Sequence, residues 1–157
     1  RVLFRSIAMA ITAAETGHLA IGTLHTNDAA QTIDRVVNAF PSHQQQQIRM
    51  QMSVNLIAVI SQVLVNRADN QGRVAAFEIL IATPAIRNVI REAKTFQIPQ
   101  LLQMGSEQGM VSMEKSLATL VKQKIITEEE AFAKTARPQE LAGLLGTKPA
   151  SDTVMLF

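Results

Sequence analysis

An α/β architecture that gives way to an all-helical C-terminal part is what this sequence predicts. Three observations carry the expectation. A short apolar run, Leu19-Ala20-Ile21, leads through Gly22-Thr23-Leu24-His25 into good helix-capping residues and a helical pattern. Two β-rich runs, ending at Val65 and opening at Arg73, flank a short polar loop that closes on Gly72. Beyond Ala82 the apolar residues recur at helical spacing.

In chain order, Ser6 is expected to cap a first helix carrying Ile7, Met9, Ala10, Ala13 and Ala14, stopped by Gly17. Residues 18–24 follow a turn residue and are short and apolar, which predicts a buried strand. Thr26, Asn27 and Asp28 are N-cap candidates for a helix over residues 28–39, whose inner face is Ile33, Val36, Val37 and Phe40, and Pro41 breaks it. Ser42 with Gln45 has the capping-box spacing for a long third helix with a stripe of Ile48, Met52, Leu56 and Val59 or Ile60. The Gln44–Gln47 run reads as an exposed first turn. The hairpin comes next, Val63–Val65 and Arg73–Ile81 around Asn66–Gly72. Thr83 then caps a helix with Pro84 at its first position and an amphipathic run to Lys94. A short helix near Pro99 ends at Gly105, another is marked by Met113, Leu117, Leu120 and Val121, Thr127 with Glu130 forms a second capping box, and Pro138 opens a last helix ending at Gly143 or Gly146. The methionines, Met50, Met52, Met104, Met110 and Met113 among them, are expected as core filler.

Composition narrows the class. The chain has 157 residues, enough for a core, with 47% hydrophobic and 18% charged residues. With no cysteine, disulfides, thiolate ligands and thiol chemistry are excluded. No apolar run reaches the roughly 18 residues of a membrane span, and Arg1–Ser6 lacks the features of a signal peptide, so a cytoplasmic protein without membrane insertion is expected. Net charge is only +2, the basic residues are dispersed, and neither Tyr nor Trp is present to stack on bases, which argues against nucleic acid. No metal site is expected, since His18 and His25 have no third ligand in view.

His25 is the residue to which the chemistry points. It stands where an apolar run ends and a helix begins, and in open α/β sheets ligands bind beyond the carboxyl ends of strands. A helix N-terminus there presents N–H groups and partial positive charge, which suits a phosphate. The competing reading is a polar residue that only caps the helix. Thr23 and Thr26 can support His25 as hydroxyl partners or serve the backbone alone. Glu78, in an apolar strand, needs a buried partner, for which an arginine of the same sheet is the simple candidate. Arg67 and Arg73 flank the hairpin loop without a determined role. Arg87, Asn88, Arg91 and Glu92 form the polar side of a helix whose other side is Ala85, Ile86, Val89 and Ile90, normally a solvated face. Arg87 and Arg91 are like charges one turn apart and call for an acidic partner.

Three stretches, in order, resemble the PilT family of pilus and secretion motors. Thr12-Ala13-Ala14-Glu15-Thr16-Gly17-His18-Leu19, running on through Gly22-Thr23-Leu24-His25-Thr26-Asn27, is similar to that family's His box. Thr32-Ile33-Asp34-Arg35-Val36 with Phe40-Pro41 resembles the segment after it. Ala85-Ile86-Arg87-Asn88-Val89-Ile90-Arg91-Glu92 resembles the AIRNLIRE signature of the retraction branch, with Val89 for leucine. The resemblance covers residues 7 to about 146. It implies the C-terminal part of a RecA-like P-loop NTPase core with a β-hairpin over residues 1–82, a helical C-terminal subdomain over 83–146 and a loose tail over 147–157. It implies a homo-hexameric ATPase at the cytoplasmic face of the plasma membrane, acting with the pilus inner-membrane platform protein and powering pilus retraction and twitching motility. His25 would be the γ-phosphate sensor, with Thr23 and Thr26 beside the nucleotide, and Arg87, Asn88, Arg91 and Glu92 would couple hydrolysis to force.

The departures matter too. None of the seven glycines is followed by lysine, so no Gly-x-x-x-x-Gly-Lys-Ser/Thr occurs, and no strand ends in a Walker B carboxylate. ATP and Mg²⁺ would then be held by upstream residues, this chain would begin mid-domain, and alone it is expected not to hydrolyse ATP. Residues 1–6 do not match the family and read as foreign or misread sequence. An extension or type II secretion motor is disfavoured by the Ala85–Glu92 signature and by the lack of a tetracysteine motif. A non-catalytic interaction module is the other alternative.

Overall fold

A computed structural model describes residues 2–147. Its elements are α1 (Val2–Glu15), α2 (Ala29–Asn38), α3 (Ser42–Asn55), β1 (Ala58–Asn66), β2 (Arg73–Ile81), α4 (Pro84–Arg91), α5 (Ile98–Met104), α6 (Met113–Lys122), α7 (Glu128–Lys134) and α8 (Pro138–Leu145). The strands pair as an antiparallel hairpin, and helices follow it to the end of the described residues. The mixed architecture is therefore the one expected. The tail expected to be loose lies, beyond Thr147, outside the described residues.

The chain divides into two compact units, each taking in residues on both sides of residue 82. Among the described residues the first comprises 2–61 and 78–111, the second 62–77 and 112–147. In the first, Ile33, Val37, Leu80, Ile86, Ile90 and Ile98 are fully buried. Each such side chain contributes about 1.5–3 kcal/mol by leaving water. Phe4 packs edge-on against Phe40 with ring centroids 4.9 Å apart. The second unit has its own core of Val65, Ala76, Leu117, Ala131 and Leu141.

Local chemistry explains most helix boundaries. Gly17, at φ +87°, closes α1, with the N–H groups of Gly17 and His18 donating to the carbonyls of Ala14 and Ala13. The Asp28 carboxylate accepts from the Gln31 N–H at 2.7 Å and caps α2. Thr83 caps α4, accepting from the Ile86 N–H with Pro84 in the first turn, and Ser112 and Thr127 do the same for α6 and α7. Gly146, at φ +72°, ends α8.

Several expectations fail for identifiable reasons. Residues 18–24 are not a strand: the two described strands pair with each other, the segment has no ladder partner, and Leu19 and Ile21 are 75% and 87% exposed. Ser6 is not a cap, because α1 already runs from Val2. Ser42 lies inside the first turn of α3 and makes no cap bond, while Gln45 donates its amide to the Phe40 carbonyl instead. α3 stops at Asn55, so Val59 and Ile60 belong to β1 rather than to a helical stripe. Met50 and Met104 are exposed, whereas Met52, Met110 and Met113 are buried.

Candidate functional site

On its N-terminal side His25 follows Leu24, which packs against the core of the first unit, and on its C-terminal side it is tied by hydrogen bonds. Among the described residues, no backbone–backbone hydrogen bond holds residues 19–27. His25 has φ +50°, a left-handed conformation uncommon for a non-glycine residue. Its ring is exposed and has no hydrogen-bond partner among the described residues. The imidazole is thus presented to solvent on a strained turn, with both nitrogens available.

Hydrogen bonds fasten the turn to α2 and to β2. Thr26 and Thr32 join hydroxyl to hydroxyl at 2.6 Å, and the Thr32 hydroxyl also donates to the Asp28 carbonyl at 2.7 Å. Thr26 is therefore engaged with α2, as support for the turn. Asp28 caps α2 as described. The Glu78 carboxylate, 1% exposed on β2, accepts from the Ala29 N–H at 2.8 Å, 49 residues away. Glu78 thus finds a helix N-terminus, where a buried negative charge is favoured. Thr23 is exposed, with a hydroxyl unbonded among the described residues. His18 instead accompanies the end of α1, its Nδ1 3.1 Å from the Thr16 hydroxyl, and His43 is exposed.

This arrangement corrects one expectation. The N-terminus of α2 is not a vacant anion site, because carboxylates from Asp28 and Glu78 already occupy the N–H groups of Gln31 and Ala29.

The polar face of α4 separates into two parts. Arg87 is half-buried and turns away from solvent: its Nη1 donates to the Ser53 carbonyl at 2.7 Å and to that of Val54, two of the otherwise unsatisfied carbonyls at the end of α3. The like charges of Arg87 and Arg91 need no acidic partner between them. The remaining residues form an exposed network. Arg91 donates to the Asn88 carbonyl oxygen at 3.2 Å, Asn88 donates to Glu92 at 3.1 Å, and Lys94 pairs with Glu92 at 2.8 Å. Lys94 and Asn88 hold the Glu92 carboxyl below the usual carboxylate range. At the hairpin tip Arg67 grips Asp69 through Nε and Nη2, and together with the Gln71 N–H it lowers the Asp69 carboxyl to about 2, while Arg73 is exposed.

Two polar clusters escaped the sequence reading. The Thr95 hydroxyl donates to Asp34 at 3.0 Å, fixing α2 to the turn before α5. In the second unit Glu114, 1% exposed, accepts from Thr135 at 2.9 Å and from Arg137 at 3.0 Å. Glu114 was detectable, since it falls one turn before Leu117 and Ala118 on the apolar row of α6.

Residues 4–79 match the family model described as Type II/IV secretion system protein. A twitching motility protein of Neisseria gonorrhoeae is 48% identical over 137 residues, covering 87% of this chain and 37% of that protein. The type IV pilus retraction ATPase PilT of Pseudomonas aeruginosa is 48% identical over 134 residues, covering 85% of this chain and 39% of the ATPase. Among solved structures, the pilus retraction motor PilT with bound ADP matches with a TM-score of 0.78 and 45% identity, over 88% of this chain and 38% of the motor. The chain thus spans less than two-fifths of the length of these relatives.

Proposed function

We propose, for a chain that belongs to the type II/IV secretion system protein family and resembles its PilT branch, that it is the C-terminal part of a homo-hexameric ATPase powering type IV pilus retraction. The observation that carries this reading is the 48% identity to a retraction ATPase over 134 residues. The motor would work at the cytoplasmic face of the plasma membrane against the pilus platform protein; among the described residues, no helix is long and apolar enough to cross a membrane.

Bound ATP with Mg²⁺ supplies the phosphoryl group and neutralises its charge. The chain holds no Gly-x-x-x-x-Gly-Lys-Ser/Thr, so residues beyond these 157 would cradle the phosphates and the metal. This chain's part is detection. A ring N–H of His25 donates to a γ-phosphate oxygen or to the attacking water, a bond present before hydrolysis and gone after it. Its exposure, its unbonded ring and its left-handed backbone conformation support that role. Thr23 offers a second donor beside it, and Thr26 braces the turn through Thr32. On α4, the exposed Asn88–Arg91–Glu92 network is the coupling surface, and Arg87 acts by anchoring α4 to the end of α3.

The test is a chimera in which residues 7–146 replace the matching part of the Pseudomonas aeruginosa ATPase. ATP hydrolysis and restored twitching are expected, with both lost in His25→Ala. Hydrolysis unchanged by that substitution refutes the sensor assignment. Hydrolysis without twitching moves the chain to another branch of the family, and an assembled chimera without hydrolysis favours an interaction module.

A further inference from the structure

We infer that Glu78 is a positioning residue for His25, holding the sensor turn to the hairpin from beneath. The inference builds on the reading of His25 as a sensor, and it assigns a role to a buried carboxylate that this reading leaves idle.

The hydrogen bonds from Thr26 to Thr32, from Thr32 to Asp28 and from Gln31 to Asp28 are local and close within α2 and its cap, so they would travel with the helix if it shifted. The bond from the Ala29 N–H to Glu78 Oε1 is different, because it ties the first residue of α2 to the middle of β2. Both ends are sealed from water, with Ala29 0% and Glu78 1% exposed. An amide left without its acceptor in such a place cannot turn to solvent, so the helix start must move or open. His25 is only four residues away, and no backbone–backbone hydrogen bond among the described residues steadies the chain before it. Before His25 the chain is held by the packing of Leu24 alone, so a displacement at Ala29 passes to the histidine between that side chain and the helix start.

What the geometry requires is an acceptor at the reach of a glutamate. Glu78→Gln keeps that reach and an amide oxygen that can accept. Glu78→Asp keeps the charge and is one methylene too short. Glu78→Leu removes the acceptor altogether. The three are compared in this chain by the ring resonances of isotope-labelled His25 and by amide exchange at Ala29, with the Leu80 and Ile90 amides as markers that the core is folded.

Expected are roughly tenfold or faster exchange at Ala29 and shifted or broadened His25 signals in the aspartate and leucine variants, with the core markers unchanged. The glutamine variant should keep both native signatures. A folded aspartate variant with native His25 signals overturns the inference, as does a glutamine variant that loses them as fully as aspartate does. If leucine unfolds the chain, the aspartate–glutamine pair still decides. No nucleotide enters these measurements, so they stand or fall apart from the phosphate-sensing reading, which the chimera with His25→Ala tests.

Discussion

Arg87 separates a structural contribution to α4 from a functional one. Its guanidinium donates to the carbonyls of Ser53 and Val54 at the end of α3. Hydrogen bonds involving a charged group contribute about 1.5–3 kcal/mol, and a cation at a helix C-terminus about 0.3–1 kcal/mol. Because Arg87 is half-buried, water competes for both carbonyls, and the expected net loss in Arg87→Met, which keeps most of the apolar stem, is about 2 kcal/mol. Lysine brings one compact donor group in place of a planar fork, so Arg87→Lys is expected to lose about half as much. With two compact units, a single melting curve would mix transitions, so the assay is native-state amide exchange at Val89 and Ile90. A loss of 2 kcal/mol corresponds to exchange about 30-fold faster. Less than about threefold acceleration in Arg87→Met refutes the anchoring role. The companion measurement is Asn88→Ala, whose effect on the same amides should stay within about 0.5 kcal/mol, since that residue is exposed.

Three further outcomes are expected. Ala93 sits at φ +58° just past α4, where its N–H and that of Lys94 close the helix end, so Ala93→Gly should stabilise the first unit by about 0.5–1 kcal/mol; slower exchange of the α4 amides checks this, and faster exchange refutes it. Arg137→Met leaves Glu114 buried without its cation and should destabilise the second unit by about 3 kcal/mol, read from exchange at Leu117; a change below about 1 kcal/mol would show that Thr135 alone suffices. The Asp69 carboxyl carbon should titrate near 2, rising toward the ordinary 3.8 in Arg67→Gln. Because folding depresses this group, the contact helps order the loop above the unfolded value and is lost as pH falls through about 2, so loop signals that vanish instead on the alkaline side contradict the assignment.

The parts legible in the sequence are those set within a few residues. Asp28, Thr83-Pro84, Gly17 and the loop ending in Gly72 act through contacts at short range, and each does what its residue type implies. The extended stretch before His25 is not legible in this way, because a strand needs a partner and apolar content alone says nothing of where that partner lies. Leu19 and Ile21 look like core residues by composition and stand in solvent here. The site was half legible. His25 stood out by its place at a helix start, but the competition for that start did not, because Glu78 reaches it from a distant strand. Arg87 looks solvent-facing for a similar reason: a four-residue spacing fixes which side of a helix a residue occupies, while a long side chain can still bend back to a neighbouring helix end.

The bond between Ala29 and Glu78 also has a timing. A ribosome adding about 5–20 residues per second needs about 2–10 seconds to lengthen the chain by the 49 residues that separate the two ends. Through that interval α2 can coil and cap itself with Asp28, yet its first amide lacks the Glu78 acceptor. The turn that carries His25 is therefore finished late, after the hairpin has emerged, and a nascent chain is least able to hold His25 in its left-handed conformation while the apolar side chains of α2 and α3 await the residues that will cover them.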